Sequence, residues 1–140
     1  MVELKLKRLR PEAVLPTRHT DQDAGIDLYT CESVVLEPGQ SHAFSTGFAA
    51  EFAAGYVALV RDRSSMGTCG IHVLGGVIDA GYRGEWKILL HNLARTPYVI
   101  KAGDRIAQVL LLPVALAQIS EARELVGSAR GSRGFGSSGR

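Results

Sequence analysis

IHVLGGVIDAGYRGEWKILL, residues 71–90, carries the reading of the fold. Two runs of apolar and β-branched residues, Ile71–Leu74 and Trp86–Leu90, flank a segment punctuated by Gly75-Gly76 and Gly84. Runs this short, closed by turn residues, predict strands, which are commonly four to eight residues long, whereas most helices run to ten or more. The pattern repeats in both directions. Val2, Leu4 and Leu6 alternate with Glu3, Lys5 and Lys7, the period-two signature of a half-buried strand. Further runs lie at Ile26–Thr30, Val34–Leu36, Tyr56–Val60, Tyr98–Ile100 and Ile106–Val114, separated by Pro38-Gly39, Gly55 and Gly103-Asp104. Many short strands at such intervals predict an all-β fold, a jelly-roll-like β-sandwich or barrel. Ser120–Leu125 has a capping residue for one short helix. The exposed edges of such sheets must be covered, and oligomerisation is one way to cover them.

The chain has 140 residues and a net charge of +2, which argues for neither nucleic acid nor membrane as a partner. No apolar run reaches the roughly 18 residues of a spanning helix. Residues 1–15 lack the continuous apolar stretch of a signal peptide. Cys31 and Cys69 make neither a disulfide framework nor a metal set, and a buried, inert thiol is expected at Cys69. His19, His42, His72 and His91 are not at ligand spacing and read as structural or surface residues. A soluble, cytoplasmic protein is expected. The end of the chain differs in character. Arg123, Arg130, Arg133 and Arg140 face Glu124 alone, amid Gly and Ser. Such a stretch cannot bury a core of its own. The division is therefore a β domain over 1–126 and a flexible C-terminal arm over 127–140.

Five polar segments offer chemistry. In the segment after Tyr56–Val60, Arg63, Ser64 and Ser65 precede Gly67; a planar guanidinium and hydroxyls match phosphate oxygens, and a helical turn starting here would add backbone N–H groups. The same residues also suit a serine cap and a surface arginine. Asp79, between Ile78 and Ala80, can take a proton from water or cap a turn. Tyr82 can stack on a sugar or pack in a core, and Arg83 with Glu85 reads as a solvated pair. Asp27 beside Gly25, and Asp104 beside Gly103, read first as turn residues. Gln108 lies in an otherwise apolar run and must find a partner or face outward. Phe135, flanked by Gly134 and Gly136, suits stacking on a planar ligand, with Arg130, Arg133, Ser137 and Ser138 suited to phosphates. An aromatic ring and phosphate donors on a pliable arm point to a nucleotide and a lid.

Taken in order, these segments resemble the five motifs of the homotrimeric dUTPase family, over residues 23–139. The resemblance implies a Mg²⁺-dependent hydrolysis of dUTP to dUMP and pyrophosphate, which keeps uracil out of DNA and supplies dUMP for thymidylate synthesis. It implies that Asp79 activates the attacking water and that Tyr82 packs under the deoxyribose. Backbone of Val77, Ile78 and Asp79, and of Lys87 on the returning strand, would hold base and sugar. Arg63, Ser64, Ser65 and Gln108 would bind phosphates. Asp27 would approach the metal through water, with the ion held mainly by substrate phosphates. Arg130, Phe135, Gly136 and Ser137 would close over uracil and the terminal phosphates. A homotrimer with three-subunit sites follows from the same resemblance. The sequence departs from the pattern modestly: Asp62 stands where relatives often have proline, Val73 where many have asparagine, and Arg133 where glycine is common.

Two other readings stay in view. A dCTP deaminase of the same fold needs a glutamate to shuttle protons, and Leu89 stands at that place. A non-catalytic nucleotide-sensing trimer would have no physical need for the carboxylate of Asp79.

Overall fold

The structure, a computed structural model, describes residues 2–136. Ten strands and one short helix follow in chain order: β1 (Leu4–Arg8), β2 (Ile26–Tyr29), β3 (Val34–Leu36), β4 (Ser41–Phe52), β5 (Tyr56–Arg61), α1 (Ser64–Thr68), β6 (Ile71–Val73), β7 (Val77–Asp79), β8 (Glu85–Asn92), β9 (Tyr98–Ile100) and β10 (Arg105–Pro113). They form two antiparallel sheets, ordered β1-β4-β8-β6 and β2-β10-β5-β7, with β3 and β9 as a separate ribbon. The all-β expectation holds.

The two sheets enclose one core. Phe44, Phe48, Trp86, Ile88 and Leu90 meet Leu28, Ala58, Val60, Ile106 and Val109, all buried. The Phe48 and Trp86 rings lie 5.3 Å apart, and Phe52 meets Trp86 edge-on. Each large side chain so buried contributes on the order of 2 kcal/mol of hydrophobic stabilisation before chain entropy is counted.

Sequence periodicity missed β4, the longest strand. Residues 44–50 are buried without interruption, so polar and apolar residues do not alternate there. Small residues fill it: Ser45, Thr46, Gly47, Ala49 and Ala50. Its register with β8 shifts between Ser45 and Ala49, and Gly47 there has φ +74°. A Cβ on Gly47 would lie 2.7 Å from the Cβ of Ala13 and 2.8 Å from the Sγ of Cys31, so the outer side of this strand is roofed by other chain segments.

Other expectations need correction. No helix forms over Ser120–Leu125; that stretch is exposed and irregular, because it has no apolar face to bury. Among the described residues, regular structure ends at Pro113. Val77–Asp79, which lay outside the runs read as strands, is a strand paired to β5. Cys69 is exposed rather than buried, since it follows α1 directly at the surface.

The sheet that positions the polar groups is β2-β10-β5-β7. Pairing sets Gln108 opposite Asp27 on one side and Arg61 on the other. It sets Leu59 between Leu110 and Val77, and Val57 between Leu112 and Asp79. Directly paired residues share a face of the sheet. Since Ala58, Val60 and Val109 point into the core, these side chains all lie on the outer face.

Candidate active site

Two groups of candidate residues emerge. The first gathers at the ends of β2, β5 and β10. Arg63 ends β5's exit, with φ −77° and ψ 142°, and precedes the five-residue α1. Arg63, and not a serine, is therefore the cap position, and no side chain caps the helix. The Arg63 guanidinium donates from Nε to Asp27 Oδ1 at 3.2 Å and from Nη1 to the Arg105 carbonyl at 3.2 Å. Arg105 donates from Nη1 to the other oxygen of Asp27, also at 3.2 Å. One carboxylate thus aligns two guanidiniums, and the trio keeps one net positive charge suited to an anion. Ser65 Oγ lies 3.4 Å from Arg63 Nη1, while Ser64 is exposed beside it. Gln108 donates from Nε2 to the Asp62 carbonyl at 2.7 Å. A Cβ on Gly25 would fall 2.2 Å from Gln108 Oε1, so only glycine lets the amide sit there. Glycine at 25 therefore does more than form a turn. A cavity of about 280 Å³ opens beside Arg63, Ser65, Tyr98 and Arg105.

The second group lies on the β7–β8 hairpin. Asp79 is exposed, and its side chain makes no hydrogen bond among the described residues. Its backbone carbonyl, not its carboxylate, closes the turn by accepting from Tyr82 N at 3.0 Å. The carboxylate is thus left free for chemistry. Tyr82 donates its hydroxyl to the Glu85 carbonyl at 3.0 Å, and its ring leans over Gly84, where a Cβ would meet the phenol oxygen at 2.4 Å. Val77, Ile78, Asp79, Tyr82 and Lys87 line a cavity of about 290 Å³. The expected Arg83–Glu85 pair does not form. Glu85 instead binds Arg10 at 3.0 Å and the Gly47 amide at 2.9 Å, while Arg83 reaches Glu51 at 3.7 Å.

One chain does not bring the two groups together. Asp79 is opposite Val57, and Gln108 is opposite Arg61. Strand rise and spacing put them about 16 Å apart, roughly 13 Å along the strand and 10 Å across it. The outer-face side chains between them are Val57, Leu59, Val77, Leu110 and Leu112.

The remaining candidates stand apart. Arg130 and Arg133 bond each other's backbone, at 3.0 and 3.1 Å, and Phe135 and Gly136 are exposed with positive φ. Ser137, with Ser138 after it, lies outside the described residues. The histidines are structural or surface groups as read: His42 faces Glu32, His72 pairs with Asp62, and His91 with Ser41. The sequence reading did not single out Arg105, which stands beside Asp27 and Arg63. Nothing local marks Arg105, because its partner Asp27 is far away in sequence and meets it only through the β2–β10 pairing.

No group of three His, Cys, Asp or Glu side chains that could hold a metal exists among the described residues. Asp27 already accepts from two arginines. With both Asp27 oxygens engaged and no ligand cluster among the described residues, the donor set would suit an ion carried on a ligand's own oxygens rather than one caged by these side chains. Among the described residues, no helix is long and apolar enough to cross a membrane.

The chain is similar to known proteins over nearly its whole length. The family model described as dUTPase matches residues 11–139. The chain is 42% identical to the deoxyuridine 5'-triphosphate nucleotidohydrolase of Nautilia profundicola, over 99% of this chain and 100% of that protein. It is 45% identical to that of Mycobacterium marinum, over 97% and 94%. Among solved structures, a variant dUTPase of Staphylococcus bacteriophage 80alpha with dUpNHpp superposes with a TM-score of 0.91 at 30% identity, covering 99% of both chains. A variant dUTPase of phage phi11 of S. aureus, described with a structural Mg(II) ion, gives 0.82 at 27% identity, over 89% of this chain and 99% of that one. Matched by the family model over residues 11–139 and 42–45% identical to the Nautilia and Mycobacterium relatives over nearly its whole length, the chain belongs to the dUTPase family.

Proposed function

We propose that this dUTPase-family enzyme hydrolyses dUTP to dUMP and pyrophosphate in sites shared between copies of the chain, with Asp79 as the base. The separation of about 16 Å between Asp79 and Gln108 carries the reading. No single triphosphate spans both, so the phosphate group of one copy must meet the hairpin of another. The apolar outer face between them gives the copies something to bury. A homotrimer is the assembly we assign, in keeping with the family resemblance of the motifs.

Backbone of Val77, Ile78 and Asp79 and of Lys87 holds uracil and sugar, and the Tyr82 ring lies under the deoxyribose. A base whose polar edge mismatches this backbone leaves buried groups unpaired and is rejected strongly. On the neighbouring copy, Arg63, Ser64, Ser65 and Gln108 hold the phosphates. Asp79 accepts a proton from water as the water oxygen bonds to the α-phosphorus. The bond from that phosphorus to the α–β bridging oxygen breaks, and pyrophosphate leaves with the electron pair. Arg63 and the Gln108 amide face the charge that develops. Asp27 keeps the guanidiniums aligned and reaches any bound ion through water. Mg²⁺ carried on the triphosphate would neutralise phosphate charge. The arm, 127–140, closes over the site with Arg130, Phe135, Gly136 and Ser137, excluding all water but the nucleophile. A cytoplasmic site of action, where it limits uracil in DNA and yields dUMP, completes the proposal.

Pyrophosphate release from dUTP with Mg²⁺ tests it. Turnover with dUTP, and no ammonia from dCTP, is the expected result. Ammonia release would instead support the deaminase. Tight dUTP binding without any turnover would support the sensing trimer.

A further inference from the structure

We propose that Asp62 is a positioning residue for phosphate binding, acting through Gln108. The inference rests on the reading of Gln108 as a phosphate ligand. Asp62 sits between β5 and Arg63 and makes three short contacts in three directions. Its Oδ1 accepts from the Val73 amide at 2.6 Å. Its Oδ2 lies 2.7 Å from His72 Nδ1. Its backbone carbonyl accepts from Gln108 Nε2 at 2.7 Å.

The consequence follows from what each group can do. A carboxylate tied to both a backbone amide and an imidazole has one rotamer, and its backbone is pinned to β6. The Asp62 carbonyl then has a fixed direction. A glutamine amide nitrogen carries two hydrogens. The carbonyl takes one, and Oε1 fills the space that the missing side chain of Gly25 leaves, where a Cβ would come within 2.2 Å of it. The second hydrogen of Gln108, on the outer face of the sheet, is then left for a phosphate oxygen. Loosening Asp62 frees the amide to turn and weakens its bond to a phosphate oxygen. The Arg63 backbone, one residue on, is steadied by the same anchor. Nothing in the proposal requires Asp62 to touch substrate.

The test is a double-mutant cycle on the full chain, with kcat and KM for dUTP read by pyrophosphate release and thermal melts run in parallel. Asp62→Ala should raise KM about tenfold with a smaller change in kcat. Adding Asp62→Ala to Gln108→Ala should make KM little worse than Gln108→Ala alone, because coupled residues are not additive. Asp62→Asn should restore KM to within about twofold, since its Oδ1 still accepts from Val73 and its amide can donate to a neutral His72. A lowered melting temperature with unchanged KM would overturn the proposal, as would fully multiplicative effects of the two alanines. A wild-type protein that releases no pyrophosphate defeats the reading of the active site itself, and this inference with it.

Discussion

In the proposed mechanism Asp79 is the base; among the described residues nothing bonds its carboxylate, and Tyr82 uses its backbone instead. Asp79→Asn keeps shape and removes the proton acceptor. It should bind dUTP as the parent does, by calorimetry, while turnover falls by about a hundredfold or more. Asp27 illustrates a different economy, with two guanidiniums sharing one acceptor. Tyr98 gives a pH signature. Burial holds its phenol above the ordinary tyrosine value, and the nearby Cys69 and Asp104 push the same way. The folded state keeps this proton longer than the unfolded chain does. Stability is thus fully present below the unfolded value, about 10, and declines as pH rises from there toward the folded value. Denaturant midpoints should fall over that window, and Tyr98→Phe should flatten the fall.

The hairpin that carries Asp79 depends on a tight junction before it. Gly76 has φ +84°, its carbonyl accepts from Val60 N at 2.7 Å, and a Cβ there would meet the Val60 carbonyl oxygen at 2.7 Å. Backbone, unlike the end of a side chain, cannot yield cheaply. Gly76→Ala should cost roughly 2 kcal/mol by urea unfolding and shift β7 against β5. β4 is held by the opposite means, burial on both sides, and its bulge at Gly47 lets Ala13 and Cys31 lie close over it. Short elements with one apolar face, such as β6 and β9, were legible from residue types. β4 was not, since a strand buried on both faces shows no alternation.

For the whole molecule, the outer face of β5, β7 and β10 is where copies should meet. Leu59 lies at its centre, between Leu110 and Val77. Leu59→Asp would bury a charge in that contact. Sedimentation should then give monomers, with activity lost although Asp79 and Arg63 are untouched. Removing residues 130–140 makes the complementary test. The assembly should persist while dUTP turnover collapses; normal turnover would sink the lid.

By itself the sequence determined that the chain is all-β and that its polar residues cluster in a few segments between strands. Short apolar runs closed by glycine and proline report local conformation directly. Read alone, Asp79, Arg63 and Gln108 each left a structural alternative open; the order of the motifs, through their resemblance to the family, made them candidates. Only the tertiary structure decided which of them are neighbours. Strand pairing, not proximity in sequence, joins Asp27 to Arg105 and Gln108, and sets Asp79 apart from all three. The helix that does not form at Ser120–Leu125, the roofed β4 and the exposed Cys69 have one cause. Burial is a property of what packs against a residue, and no window of sequence contains its partners.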